Sequence, residues 1–166
     1  MKQRIWAPWR GDYIIEANKP QSSCLFCDLL GKTPSKENLV VFFSEHSFVV
    51  LNKFPYNNGH IMIVPKKHVD SPEKLLKEEY ADLCELLNLS LKVIKTVYSP
   101  QGCNIGMNLG KVAGAGIDDH IHYHLVPRWN GDTNFMPVFT EVKVIPEHIE
   151  TSYGRILEGF KKALGR

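Results

Sequence analysis

The chain has 166 residues, 43% of them hydrophobic and 23% charged, which is enough apolar material for a single core without disulfide staples. Its formal net charge of +2 is too small to imply a nucleic-acid or membrane partner, so any affinity for anions must come from a local site. No secretory leader pattern opens the sequence, and no stretch approaches the roughly 18 apolar residues that a membrane span requires. Cys24, Cys27, Cys84 and Cys103 are too few and too scattered for a disulfide scaffold. A cytoplasmic protein with reduced thiols is the expectation.

In chain order, residues 1–23 read as an irregular N-terminal arm, with Trp6 and Trp9 as its packing anchors. Leu39–Phe43 and Phe48–Leu51 are short β-branched and aromatic runs around a four-residue polar gap, the pattern of a hairpin. His60–Val64 reads as a third strand, ended by Pro65. Ser71 and Pro72 then supply a cap and a first-turn proline. Leu76, Tyr80, Leu83, Leu87, Leu91, Ile94 and Tyr98 follow at steps of four and three, one apolar stripe along a long helix. Past the stop at Ser99–Gly102, Cys103, Ile105, Met107 and Leu109 alternate with Asn104, Gly106 and Asn108, predicting a half-buried strand. A glycine-rich loop, Gly110–Gly116, leads to His120–Val126, and Glu147–Leu164 has the makings of a C-terminal helix. Successive strands with one long inserted helix indicate an α+β domain on an antiparallel sheet. The expected organisation is one domain over 1–166: an arm (1–23), a core (24–128) and a C-terminal extension (129–166).

The chemistry concentrates in His120, His122 and His124, spaced two apart. On a strand the three imidazoles share one face, and Ile121, Tyr123 and Leu125 pack in the core from the other. Such an array can ligate one catalytic metal. Alternatively its central imidazole is a nucleophile, one nitrogen unprotonated and the other donating to a carbonyl, with donors on either side to neutralise phosphoryl charge. The ordinary alternative, three solvated histidines on a sheet surface, would require a coincidence of spacing. Cys24 and Cys27, as a Cys-x-x-Cys pair, are half of a tetrahedral zinc site, a redox pair or two structural cysteines. Cys84 and Cys103 read as small core residues. Lys66, Lys67, Lys111 and Arg128 are candidates for drawing in polyphosphate, with solvated surface positions as the default.

The segment His120–Val126 resembles the His-apolar-His-apolar-His-apolar-apolar signature of the histidine-triad family of nucleotide hydrolases and transferases. Asn57–His68 is similar to that family's Gly-His-apolar-Pro-Lys-x-His segment, and Asn108, Gly110, Ala113 and Gly114 resemble its phosphate-side loop. The similarity runs from about Cys24 to Arg128. It implies a histidine-triad fold, a homodimer and cleavage of a nucleotide at the α-phosphate through a nucleotidyl-histidine. His122 would be the nucleophile; His124 and His60 would contact phosphates or leaving group, with His120 completing the catalytic set. Asn52 would contact the ribose, and Asn108 and Gly116 the nucleotide. The resemblance further implies that His68 and His120 complete a closed, structural zinc site with Cys24 and Cys27, no cofactor being needed for the chemistry itself.

There is one departure from the pattern. The family's polar pair before the triad is replaced by Ala115, Gly116, Ile117, Asp118 and Asp119 in a longer loop, which removes one serine donor to phosphate. Asp118 or Asp119 is a candidate for orienting a histidine, loop solvation being the ordinary role. This loop, the Ile5–Arg10 stretch and the Gly131–Pro137 segment resemble the diadenosine tetraphosphate phosphorylase-like branch. Dinucleoside polyphosphates are therefore the expected substrates, with water or inorganic phosphate as acceptor. A nucleotide-binding sensor or scaffold with negligible turnover, a phosphoramidate hydrolase and a metal-dependent hydrolase are the alternatives.

Overall fold

The computed structural model describes residues 24–132 and 145–165. The expectations for Trp6, Trp9 and most of the Gly131–Pro137 segment lie outside these residues. Five strands form one antiparallel sheet: β1 (Val40–Phe43), β2 (Ser47–Leu51), β3 (Ile61–Pro65), β4 (Gly102–Met107) and β5 (Tyr123–Arg128). Their order across the sheet is β1-β2-β3-β5-β4. Two helices, α1 (Lys77–Tyr98) and α2 (Ile149–Ala163), complete the described architecture. Among the described residues no helix is long and apolar enough to cross a membrane.

Alternation along the strands gives the sheet two different faces. Val49, Leu51, Ile61, Ile63 and Leu125 point to one side, where Leu83, Leu86, Val93 and Ile94 of α1 and Tyr153, Ile156 and Phe160 of α2 cover them. Each fully buried side chain of this kind contributes about 1.5–3 kcal/mol, so docking on the helices fixes the strand register. Among the described residues no α-helix covers the other side. There Phe48, Val50, Met62 and Val64 pack beneath Phe26 and Leu29 of the N-terminal loop. Register places Met62 beside His124 and Gly106 on the far side of His124, so this open face carries the histidines.

Several boundaries differ from the sequence reading. Pro65 is the last residue of β3 rather than its terminator. Its carbonyl and its position at a strand end let it pair without a donor. Ser71 and Pro72 do not start α1; Pro72–Lys74 is a separate 3-10 turn. The helix begins after Leu76, whose N–H donates to Glu79 Oε2 at 2.7 Å. The buried face of α1 is Leu83, Leu86, Ser90, Val93 and Ile94, rotated from the expected stripe, and Leu76 and Tyr80 are exposed. Leucines sit on more than one face of this helix, so periodicity alone could not say which face the sheet takes. β4 is mostly exposed, not half-buried, because it is an edge strand, with Ile105 and Leu109 both open to solvent. Cys84 and Cys103 are only partly buried.

The largest correction concerns the triad. β5 starts at Tyr123, so His120, Ile121 and His122 precede the ladder. The Ile121 N–H instead donates to the Val69 carbonyl at 2.8 Å. Only His124 of the three lies on the strand proper, yet Phe26 contacts both His120 and His122 and the His122 and His124 rings are 4.7 Å apart, so the imidazoles still share a side. Ile121 and Leu125 are buried as expected, and Tyr123 is partly so.

Candidate active site and metal centre

Obligatory donors and acceptors around the four imidazoles determine which ring nitrogen carries each proton. His122 donates from Nδ1 to the backbone carbonyl of His120 at 3.0 Å, which leaves Nε2 with a lone pair. His120 donates from Nε2 to the Pro65 carbonyl at 2.8 Å, so its Nδ1 is unprotonated. The backbone N–H of Tyr56 donates to His60 Nδ1 at 3.0 Å. His60 must therefore donate from Nε2 to His124 Nδ1, 3.0 Å away. His124 in its neutral form consequently carries its proton on Nε2.

Burial disfavours the charged form of His120, His122 and His124. Desolvation lowers the basicity of His122, opposed in part by its hydrogen bond to the His120 carbonyl. His124 is pushed down to about 4 by burial first and by the neighbouring His122 second. The rings of His122 and His124 lie 4.7 Å apart in an edge-on arrangement. The result is a lone pair beside an N–H donor, the pairing that in-line attack at phosphorus requires.

The remaining expected residues are distributed as follows. His60 is only 1% exposed and sits behind His124, so it bears on the site through that ring. Asn52 accepts from the Phe54 N–H at 2.9 Å, and its amide lies 3.4 Å from His60 Nδ1. Asn108 follows β4 by one residue, its amide against the Gly110–Gly114 loop. Gly116 is exposed in that loop. The basic residues are engaged elsewhere. Lys66 donates to the carbonyls of Ser44 and Glu45, Lys67 pairs with Glu79, and Lys111 lies 3.8 Å from Asp118. Arg128 is bound to Asp132.

Cys24, Cys27, His68 and His120 form a separate cluster whose ligand atoms all lie within 4.8 Å of one another. His120 Nδ1 is 3.3 Å from Cys24 Sγ and 3.7 Å from Cys27 Sγ, and His68 Nδ1 is 3.4 Å from Cys27 Sγ. A tetrahedral zinc with Zn–S of about 2.3 Å and Zn–N of about 2.0–2.1 Å separates sulfur from nitrogen by about 3.5 Å. The cluster fits a closed S2N2 ion. Burial and the adjacent Cys24 push the Cys27 thiol up to about 11. Both nitrogens of His120 are engaged, one by Pro65 and one by the cysteines. It cannot share an ion with His122 and His124, which removes the single-metal reading of the triad.

Residues that sequence reasoning missed tie these parts together. Phe26, between the two cysteines, is fully buried with its ring 5.3 Å from His120 and 5.0 Å from His122. Tyr56 supplies the N–H that sets the His60 tautomer and stacks its ring on His60 at 4.8 Å. Asp119, one of the two aspartates that the sequence offered for orienting a histidine, lies 3.8 Å from His68 Nε2, where an outer partner of a metal-ligating imidazole would sit. The position of Phe26 in the Cys-x-x-Cys loop was the one available signal; the others depend on tertiary contact.

A family model described as the HIT domain matches residues 33–131. A protein named AP-4-A phosphorylase from Mycobacterium tuberculosis is 40% identical over 151 residues, covering 87% of this chain and 77% of the relative. An uncharacterized HIT-like protein from Methanocaldococcus jannaschii is 35% identical over 72% of this chain and 89% of its own. Among solved structures, a Zn-bound histidine triad family protein from Mycobacterium smegmatis superposes with a TM-score of 0.67 at 25% identity, over 86% of this chain and 96% of that one. With the triad geometry, these matches establish that the chain belongs to the HIT domain family and resembles its AP-4-A phosphorylase branch.

Proposed function

We propose that this chain is a nucleotidyl-transferring enzyme that cleaves dinucleoside polyphosphates, diadenosine tetraphosphate foremost, at an α-phosphate. The observation that carries the reading is the locked tautomer of His122, with Nδ1–H held by the His120 carbonyl and a neutral, buried Nε2. The similarity to the mycobacterial phosphorylase supports the choice of substrate. In the first step the Nε2 lone pair forms a bond to the α-phosphorus. The bond to the bridging oxygen breaks, and its electron pair leaves on the departing nucleoside polyphosphate. The Nε2–H of His124 donates to the phosphoryl oxygens, and the His120 carbonyl steadies the positive imidazole ring. In the second step an acceptor oxygen attacks the same phosphorus and expels His122.

Asn52, Asn108 and Gly116 are the proposed nucleotide contacts, His120 and His60 acting on the site through His122 and His124. Zinc held by Cys24, Cys27, His68 and His120 would cross-link the N-terminal loop to the segment before β5, a structural role with no open position. The domain is taken as a single unit over 1–166, in the cytoplasm. A homodimer is supported by the exposed outer edge of β4 with Ile105 on it, an edge that soluble proteins pair or protect. Ile105→Lys should then halve the mass observed in sedimentation.

Inorganic phosphate is the preferred acceptor, because a departing polyphosphate vacates an anion site that a free phosphate can re-enter along the same line. The test is product identification with diadenosine tetraphosphate, with and without phosphate. Attack by water yields AMP and ATP, whereas attack by phosphate yields ADP and ATP. A phosphate-dependent shift to ADP with a higher rate is the expected result. AMP as the lasting co-product at millimolar phosphate would make the enzyme a hydrolase.

A further inference from the structure

Asp132 is a carboxylate with only 7% of its side chain exposed, and it accepts four hydrogen bonds. Arg128 grips it in a bidentate pair, Nε to Oδ2 at 2.6 Å and Nη2 to Oδ1 at 2.9 Å. The Trp129 N–H donates to Oδ2 at 3.1 Å. The fourth bond crosses the chain: Asn57 Nδ2 donates to Oδ2 at 2.8 Å and is also 3.1 Å from the Pro127 carbonyl. Asn57 is itself buried, and its backbone carbonyl accepts the His60 N–H at 3.1 Å. His60 in turn donates to His124. Asp132, Asn57, His60 and His124 thus form a continuous hydrogen-bonded path from the turn after β5 back to the middle of the site.

Arg128 is anchored further by the Asn104 side chain, to which it donates at 2.7 Å. Arg128 stays partly exposed while the Asp132 carboxylate is nearly buried, so it is the carboxylate that depends on these partners. What the carboxylate fixes is the loop that ends in His60. Gly59, at φ +73, approaches the Tyr98 ring so closely that the loop has no room to move on that side.

We infer that Asp132 is a positioning residue that, through Asn57, holds His60 where the Tyr56 N–H fixes its tautomer, and so sets the geometry of the His60–His124 hydrogen bond and the proton location on His124. The inference rests on the proposed role of His124 as a phosphoryl donor. It also gives a physical purpose to the Gly131-Asp132 turn, whose sequence resembles the phosphorylase branch.

The test uses the full chain and two variants, Asp132→Asn and Asn57→Ala. Nitrogen–proton correlation spectra read the tautomer of each histidine in the absence of substrate, and steady-state kinetics on diadenosine tetraphosphate read the consequence. In both variants His124 is expected to become a mixture of tautomers while His122 keeps Nδ1–H. A misplacement of this kind should lower kcat by about tenfold to a hundredfold, with KM within about a factor of two. The double variant should be no slower than Asn57→Ala alone, because both act on one path. Unchanged His124 spectra, or kcat losses that add, would overturn the inference. Should Asp132→Asn fail to fold, Asn57→Ala keeps both readouts. A wild-type chain that has the expected His124 spectra but does not turn over the substrate counts against the proposed function and leaves the positioning path standing.

Discussion

His120 and His122 are joined by a hydrogen bond that makes one residue serve two centres. The His120 carbonyl accepts Nδ1–H of His122, while the His120 ring turns its Nδ1 to Cys24 and Cys27. The proposed metal ligand therefore holds the proposed nucleophile through its own backbone, and Phe26 packs against both rings.

The neutral state of the site has a consequence for pH. An unperturbed imidazole has a pKa of about 6.5, and in the folded chain His124 is held down at about 4 by burial and by His122. Between these values the unfolded chain binds more protons than the folded one, so stability falls as pH drops from about 6.5 towards 4. Thermal melts from pH 7.5 to 4.5 should record a falling Tm below pH 6.5. The acid limb of kcat/KM, which reports the free enzyme, should lie below pH 6.5 as well. An acid limb centred near 7 would contradict a neutral, desolvated pair.

The metal centre predicts a separation of stability from chemistry. Elemental analysis of purified protein should find about one zinc per chain. Cys24→Ser should lower Tm by on the order of 5–10 °C while slowing turnover by less than about tenfold. A metal-free preparation with an unchanged Tm would rule the site out.

Gly59 gives a prediction in the opposite direction. A Cβ at this position would come within 2.7 Å of the Tyr98 ring, and φ is +73. Gly59→Ala should cost about 1–3 kcal/mol and, being the neighbour of His60, should reduce kcat more than KM. Tyr98 cannot step aside cheaply. Its hydroxyl donates to Glu147 at 2.7 Å, and the Arg155 guanidinium stacks on its ring at 4.5 Å. A variant with wild-type melting and kinetics would show that the loop tolerates displacement.

What could be read from the sequence was the local pattern. The hairpin of β1 and β2 followed from its apolar runs and polar gap, and the existence of α1 from its apolar periodicity. The triad stood out because imidazoles two apart are rare. Ser71-Pro72 misled because a cap and a first-turn proline fit a 3-10 turn as well as a helix start. The rotated face of α1 was hidden by its surplus of leucines. The link from Asp132 to Asn57 joins residues 75 apart in sequence, and the contact between Cys24 and His120 spans 96. No short-range pattern carries such information; for the metal site, only the family resemblance supplied it.

The central claim is a covalent nucleotidyl intermediate on His122, and the most direct measurement is the mass of the protein during turnover. The chain is mixed with diadenosine tetraphosphate without added phosphate, quenched under alkaline conditions that preserve phosphorus–nitrogen bonds, and analysed intact and after proteolysis. A mass gain of one adenylyl group on the peptide containing His122 is predicted, with ATP released in the same burst. His122→Ala should fold and bind nucleotide, show no adduct and lose on the order of a thousandfold or more in kcat. An unmodified wild-type chain during rapid turnover, or near-normal kcat in His122→Ala, would contradict the mechanism.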